Sequence, residues 1–230
     1  MRDQHMSFQM IHMEIAYRVA ETLGIKDGKS SFILGSVLPD SVHMRDDYSV
    51  DQKIRSHLFE GCGPWGAPED YDKWRSNIRK FWKDHGASAA NAEERITAAG
   101  VVVHCITDYW NDIDIWNGTK DQFVPPEDPG RFKEDFYREA RAVDQWLHQN
   151  SVNTNEIMSL LEATPEKDMF GFYTAEDISR MKDNLLRVQY DVPRADISGF
   201  KYYTGDKLES FLESVTLKTS KALSEVMCYL

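Results

Sequence analysis

Histidine and aspartate lie one helical turn apart in the segment HCITD (104–108). On an α-helix, His104 and Asp108 would therefore project from the same face. An imidazole and a carboxylate in this arrangement can provide half of a zinc site. A buried histidine paired with an aspartate has the same spacing. The pair alone is therefore better explained as a structural contact.

Three more side chains favour a metal site when they are taken together with this pair. His12 lies at the edge of an apolar helical face, where an unpaired polar group costs about 1–3 kcal/mol. Asp40 follows the apolar stretch FILGSVLP (32–39), whose proline should end a short helix. His57 precedes another apolar pair. Each has a simple structural explanation when considered alone. The candidate ligands, in chain order, are His12, Asp40, His57, His104 and Asp108.

Four segments that contain these residues resemble the zinc-dependent phospholipase C family, to which the fungal single-strand nucleases are related in fold. The resemblance covers roughly residues 8–115, about half of the chain, and GSVLPD is its most specific part. The segments are IHMEIA (11–16), FILGSVLPD (32–40), RSHLF (55–59) and GVVVHCITD (100–108).

The resemblance implies a centre of two or more zinc ions, with manganese or iron as alternatives. Asp40, His57, His104 and Asp108 would surround one ion, and Asp108 would bridge to a second ion that His12 also holds. Asp40 would enter the centre from the end of the short apolar helix. It is also the candidate catalytic residue, which would orient or deprotonate the attacking water.

The chain departs from the family pattern at a third metal. In the family, a histidine shortly after the HxxxD segment and a later His-x-x-x-Glu pair hold that ion. Here YWNDIDIW (109–116) contains no histidine, and the later pair is reversed. A solvated surface explains the four substitute ligands equally well. They are Asp112, Asp114, Asp144 and His148.

Two other histidines have open roles. Secreted members of the family use a mature N-terminal tryptophan as a ligand, whereas this chain begins MRDQH, so His5 or a water would have to substitute. His43 follows Asp40 by three residues, and it would either bind substrate phosphate or lie exposed in a loop.

Helical periodicity dominates the chain and predicts the elements that must position these side chains. Apolar residues recur at three- and four-residue steps, and no strong alternation of apolar and polar residues indicates strands. We therefore expect an all-α fold of the phospholipase C and single-strand nuclease type, with seven or eight helices in one domain over residues 1–230. Residues 44–56, 61–68 and 117–130 are predicted to be irregular. The predicted helices are 8–23, 30–38, 69–83, 88–115, 132–148, 152–162, 174–188 and 207–227.

Composition limits the function classes. The chain has 230 residues and a formal net charge of -11, which argues against binding to nucleic acid or to an anionic membrane by charge alone. Three widely spaced cysteines form no disulfide framework, and no segment matches a secretory signal or a transmembrane span. We therefore expect a cytoplasmic protein with a small-molecule or lipid-head-group phosphoester as its substrate.

The residues and the resemblance together predict a metal-dependent hydrolase of phosphoester bonds, similar to phospholipase C. A helical phosphohydrolase of the HD type is disfavoured, because the chain has Asp84-His85 but no His-Asp dipeptide. Two alternatives stay open. One is a non-catalytic helical protein that binds metal as a scaffold, and the other is a nuclease-like phosphodiesterase.

Overall fold

The computed structural model describes residues 8–123 and 129–227. Within these ranges there are ten α-helices and no strand, which confirms the predicted all-α class but exceeds the predicted number of helices. The buried apolar side chains of the described residues, except that of Phe132, form a single cluster. His5 lies outside these ranges. The helices are α1 Gln9–Leu23, α2 Lys29–Gly35, α3 Val50–Ser56, α4 Tyr71–Phe81, α5 Ala92–Trp110, α6 Gly118–Phe123, α7 Pro129–Asn150, α8 Thr154–Glu162, α9 Ala175–Arg187 and α10 Gly205–Met227.

Helices α2 and α5 pack with their backbones in direct contact. A Cβ atom on Gly100 would lie 2.3 Å from the carbonyl oxygen of Phe32 and 2.8 Å from the Cα atom of Gly35. No side chain fits in that space, so both positions require glycine. The glycine pair lets the two helices approach closely. It also brings the next turn of α5, with His104, against the end of α2.

Several helix boundaries follow the local signals in the sequence. Gly24 ends α1 in the left-handed conformation, with a φ of 67°. Thr174 and Asp177 form the predicted capping box at the start of α9, where each side chain accepts a hydrogen bond from the other residue's backbone N–H. Asn91 caps α5 by accepting from the backbone N–H of Glu94.

Three predicted boundaries were wrong. The segment 44–56 was expected to be irregular, but it contains α3, which a capping box between Ser49 and Gln52 begins. The expected loop 117–130 contains α6 and the start of α7. The helix predicted over 30–38 ends at Gly35, and a 3-10 helix, Leu38–Met44, follows it. Pro39 lies in the first turn of this 3-10 helix. A backbone N–H at this position has no intrahelical acceptor, so the missing N–H of proline costs no hydrogen bond.

Two helices continue into π-helical turns. Helix α4 runs into Trp82–Ala87, and α5 runs into Asn111–Asn117. The second turn extends the helix that carries His104 and Asp108 along the wall of a cavity. Within the described parts of the chain, no helix combines the length and the apolar character needed to cross a membrane.

Candidate metal centre

Four elements bring the five predicted ligands into one cluster. Helix α1 contributes His12, and α5 contributes His104 and Asp108. Asp40 comes from the 3-10 helix, and His57 is the residue that ends α3. The side chains of the three histidines and Asp40 are buried, while that of Asp108 is 17% exposed.

Three separations among the donor atoms of Asp40, His57, His104 and Asp108 lie in the range found between the ligands of one zinc ion. The distance from His57 Nε2 to Asp40 Oδ1 is 3.3 Å, and Asp108 Oδ2 lies 3.6 Å from His57 Nε2 and 3.5 Å from His104 Nε2. Zinc–ligand distances of about 2.0–2.2 Å place tetrahedral neighbours about 3.3–3.6 Å apart. These separations exceed the usual 2.7–3.2 Å of an N–H···O hydrogen bond. The atoms are therefore better placed to share an ion than to bond with one another.

The orientations of two histidines leave a nitrogen lone pair for a metal. The Nδ1 atom of His104 lies 2.8 Å from the carbonyl oxygen of Ser36, and that of His57 lies 3.0 Å from the carbonyl oxygen of Lys53. A carbonyl can only accept, so Nδ1 carries a proton in each ring, and Nε2 has a free lone pair whenever the ring is neutral. The buried Nε2 of His104 has no hydrogen-bond partner among the described residues. This arrangement is typical of metal-ligating histidines.

A second set of donors lies on the other side of Asp108. His12 Nε2 is 3.3 Å from Asp108 Oδ1, and the imidazole of His12 stacks on that of His104 with ring centroids 3.9 Å apart. In each of two groups, three possible ligand atoms all lie within 4.8 Å of one another. One group comes from His12, His104 and Asp108, and the other comes from Asp40, His57 and His104. The two oxygens of Asp108 thus face different donor sets.

The charges of these groups suit a cation. Burial would raise the pKa of Asp40, but His43 and His57 lower it well below 3.8. Burial would also raise the pKa of Asp108. The imidazoles of His104 and His12 nevertheless lower this pKa well below 3.8. Burial also lowers the pKa of His57 to about 4, so the ring is neutral at pH 7. Ionised carboxylates beside a neutral imidazole are the protonation states that zinc requires.

A series of side-chain hydrogen bonds connects Asp40 to residues outside the donor cluster. The fully buried amide of Gln9 donates from Nε2 to Asp40 Oδ2 at 2.9 Å, and its Oε1 accepts from Gln189 Nε2 at 2.9 Å. Gln189 also donates to the Tyr190 hydroxyl, which in turn donates to Asp144. Sequence analysis missed Gln9, because a glutamine beside a helical apolar face carries no signal of its own.

The centre opens onto a cavity of about 320 Å³. His12, Asp40, His57 and Asp108 line it together with Lys53. Most of the other side chains that line the cavity are aromatic. They include Tyr48, Phe59, Trp65, Trp116 and Tyr137. A ligand in this cavity would therefore reach the donor cluster while contacting apolar rings.

The predicted ligands of a third metal do not form a further metal-ligating group within the described residues. Asp112 lines the cavity, but its Oδ2 accepts from the hydroxyl of Tyr71 at 2.5 Å and from Asn117. Asp114 forms an ion pair with Lys218 at 2.7 Å. These contacts explain both carboxylates without a metal.

Asp144 and His148 lie away from the centre. Asp144 Oδ1 accepts the backbone N–H of Ile11 at 3.0 Å, and its Oδ2 accepts from the Tyr190 hydroxyl at 2.8 Å. The ring of His148 stacks on Tyr190, with centroids 4.1 Å apart. The pair therefore joins α7 to the first turn of α1.

His43 lies at the edge of the centre and is not in an exposed loop. Its side chain is 5% exposed, and its Nε2 is 3.4 Å from Asp40 Oδ1. The ring also packs against Tyr48, with centroids 4.7 Å apart.

Comparisons of the chain with protein-family models, with curated proteins and with solved structures found no match. The resemblance to the zinc-dependent phospholipase C family thus stays a prediction, which rests on the four segments that carry it.

Proposed function

We propose that this protein is a zinc-dependent hydrolase of phosphoester bonds. The observation that carries the proposal is the convergence of donor atoms from Asp40, His57, His104 and Asp108, with separations of 3.3, 3.5 and 3.6 Å that lie in the range of atoms sharing a zinc ion. Three imidazoles and two carboxylates favour zinc over magnesium or calcium, which prefer oxygen ligands. Manganese and iron accept the same donors.

In the proposed centre, Asp40, His57, His104 and one oxygen of Asp108 hold the first ion. The other oxygen of Asp108 and His12 hold the second. Bound zinc supplies a Lewis acid that activates water and neutralises charge on phosphoryl oxygens. The carbonyl oxygens that accept from His57 and His104 fix the orientation of these rings.

Asp40 acts mainly as a ligand in this proposal. Gln9 donates to Oδ2 of Asp40, and Oδ1, which lies 3.3 Å from Nε2 of His57, would face the first ion. A carboxylate whose pKa lies well below 3.8 is also a weak base at neutral pH. Deprotonation of the attacking water by Asp40 stays a prediction, and orientation of that water is the role that its surroundings favour.

The cavity favours an enzyme over a non-catalytic scaffold, because it gives a small molecule access to the donors. A phospholipase C-like reaction is the activity that the sequence segments suggest. A nuclease-like phosphodiesterase is the alternative, which the net charge of -11 disfavours. A cytoplasmic location also stays a prediction, and the unpaired thiols of Cys62 and Cys105 agree with it.

The test is hydrolysis by wild-type protein and by His104→Ala and Asp108→Ala variants. The substrates are bis-p-nitrophenyl phosphate and p-nitrophenyl phosphorylcholine, each with added zinc, added manganese or a chelator. We expect wild-type activity on at least one of the two esters, which the chelator removes and zinc restores, and we expect both variants to be inactive. His85→Ala and Asp114→Ala are matched controls outside the centre, and circular dichroism confirms that every variant stays helical.

A zinc-loaded wild-type protein that hydrolyses neither ester nor single-stranded nucleic acid would favour the scaffold. Activity that survives both substitutions would show that the centre is assigned to the wrong residues.

A further inference from the structure

Lys53 places a positive charge in the cavity beside the proposed centre. It lies on α3, one helical turn before His57, and its carbonyl oxygen is 3.0 Å from Nδ1 of that ligand. The backbone contact fixes Lys53 relative to the centre. Its side chain lines the cavity that His12, Asp40 and Asp108 also line.

The ammonium group of Lys53 has no carboxylate ion-pair partner in the part of the chain that the structure describes. This ammonium group lies over the ring of Trp65, whose centroid is 4.5 Å from Nζ. Burial lowers the pKa of Lys53, and the charges of Asp40 and Asp108 offset this only in part. Those two carboxylates would be neutralised by the zinc ions that they hold. The lysine charge would then lack a compensating anion.

The positive charge of Lys53 affects which substrate head groups can bind in the cavity. A quaternary ammonium group binds best over the face of an aromatic ring. In this cavity the Lys53 ammonium already lies over the face of Trp65, and a second cation there would be repelled. An anionic group on the substrate would instead provide the missing partner for the lysine.

The remaining charged groups of the cavity do not reverse this preference. Asp112 also lines it, but Tyr71 and Asn117 donate hydrogen bonds to its carboxylate. Lys133, on α7, is the other lysine that lines the cavity among the described residues. Two lysines and two zinc ions would make the cavity attractive to anions.

We propose that Lys53 makes the cavity selective for phosphoesters that carry a second anionic group beyond the scissile phosphoryl group, and that the cavity discriminates against choline-like head groups. This inference rests on the proposed zinc centre. It names a substrate class for that centre, namely phosphoesters whose alcohol component bears a carboxylate or a further phosphate.

The test is calorimetric binding of three matched phosphonates to zinc-loaded protein. They are 2-carboxyethylphosphonate, 2-(trimethylammonio)ethylphosphonate and, as the baseline, propylphosphonate, whose alkyl group carries no charge. For wild-type protein we expect the carboxylate compound to bind at least about tenfold more tightly than the ammonium compound. Lys53→Met should reduce that ratio to below about threefold, Lys53→Glu should invert it, and Lys53→Arg should retain it.

Lys73→Met is the control, because Lys73 is exposed and does not line the cavity. Lys53→Gln serves as a second neutral variant where circular dichroism shows that Lys53→Met does not fold. Equal or tighter binding of the ammonium compound to wild-type protein would overturn the inference. A preference for the carboxylate compound that survives in the neutral variants would also overturn it, as would a failure of all three phosphonates to bind. Absence of zinc binding would overturn the proposed function as well, whereas zinc binding without the preference would overturn this inference alone.

Discussion

Replacing Gln9 by methionine should weaken zinc binding while leaving the fold intact. Gln9 is fully buried, and it donates to Asp40 Oδ2 at 2.9 Å while its own oxygen accepts from Gln189. Methionine has a similar length but lacks the donor and the acceptor. Asp40 would lose the hydrogen bond that fixes its carboxylate, and Gln189 would lose an acceptor.

The magnitude follows from the kind of hydrogen bond that is lost. A hydrogen bond to a charged group contributes about 1.5–3 kcal/mol. Loss of a side chain that orients a metal ligand commonly reduces affinity by about 10- to 100-fold, which corresponds to about 1.4–2.8 kcal/mol. We therefore expect Gln9→Met to raise the dissociation constant for zinc by about 10- to 100-fold.

The assay is competition with a chromogenic zinc chelator at pH 7 and fixed ionic strength. Urea unfolding of the metal-free variant separates lost affinity from lost structure. Gln149→Met is the matched control, because the Gln149 side chain also makes hydrogen bonds, but to the backbone of Pro193 and Ala195. That variant should bind zinc with wild-type affinity. Wild-type affinity in a folded Gln9→Met variant would refute the argument that Gln9 positions Asp40.

Two further predictions concern the framework and the pH dependence. Gly100→Ala should destabilise the protein by about 1–3 kcal/mol in urea unfolding and weaken zinc binding, because its Cβ atom would lie 2.3 Å from the carbonyl oxygen of Phe32. Gly118→Ala is the control, because the atom nearest to its Cβ is 3.9 Å away. Equal losses of stability in both variants would contradict this reason. Burial raises the pKa of Asp144 from 3.8 to about 7, so the native state keeps a proton that the unfolded state releases, and stability should fall as the pH rises from about 4 to 7. Urea unfolding at pH 5 and pH 8 should show the wild type losing stability relative to Asp144→Asn, by at most about 3 kcal/mol. An unchanged difference would contradict the raised pKa.

Local signals in the sequence predicted the long helices well. The apolar periodicity and the glycine after it indicated α1, and the Thr174–Asp177 capping box indicated α9. Helix α3 was missed, because VDQKIRS is short and has few apolar residues to show a period. Its own capping box, from Ser49 to Gln52, was the signal that would have found it.

Spacing alone predicted only part of the candidate site. The four-residue step indicated that His104 and Asp108 share a helical face. The same step in Asp144 and His148 leads instead to a contact with Tyr190, because the position of α7 decides what its side chains meet. That His12, Asp40 and His57 would approach Asp108 depended on the resemblance. The support from Gln9 depends on packing between distant segments, which no local pattern contains.

The most direct test of the proposed centre is the zinc content of the protein after equilibration with zinc and removal of the excess. By elemental analysis we expect about two zinc ions per wild-type chain, and about two in the His85→Ala control. His57→Ala should retain at most about one, because the first ion would lose one of its proposed ligands. A wild-type chain that holds no zinc, or a His57→Ala variant that holds as much as the wild type, would contradict the account.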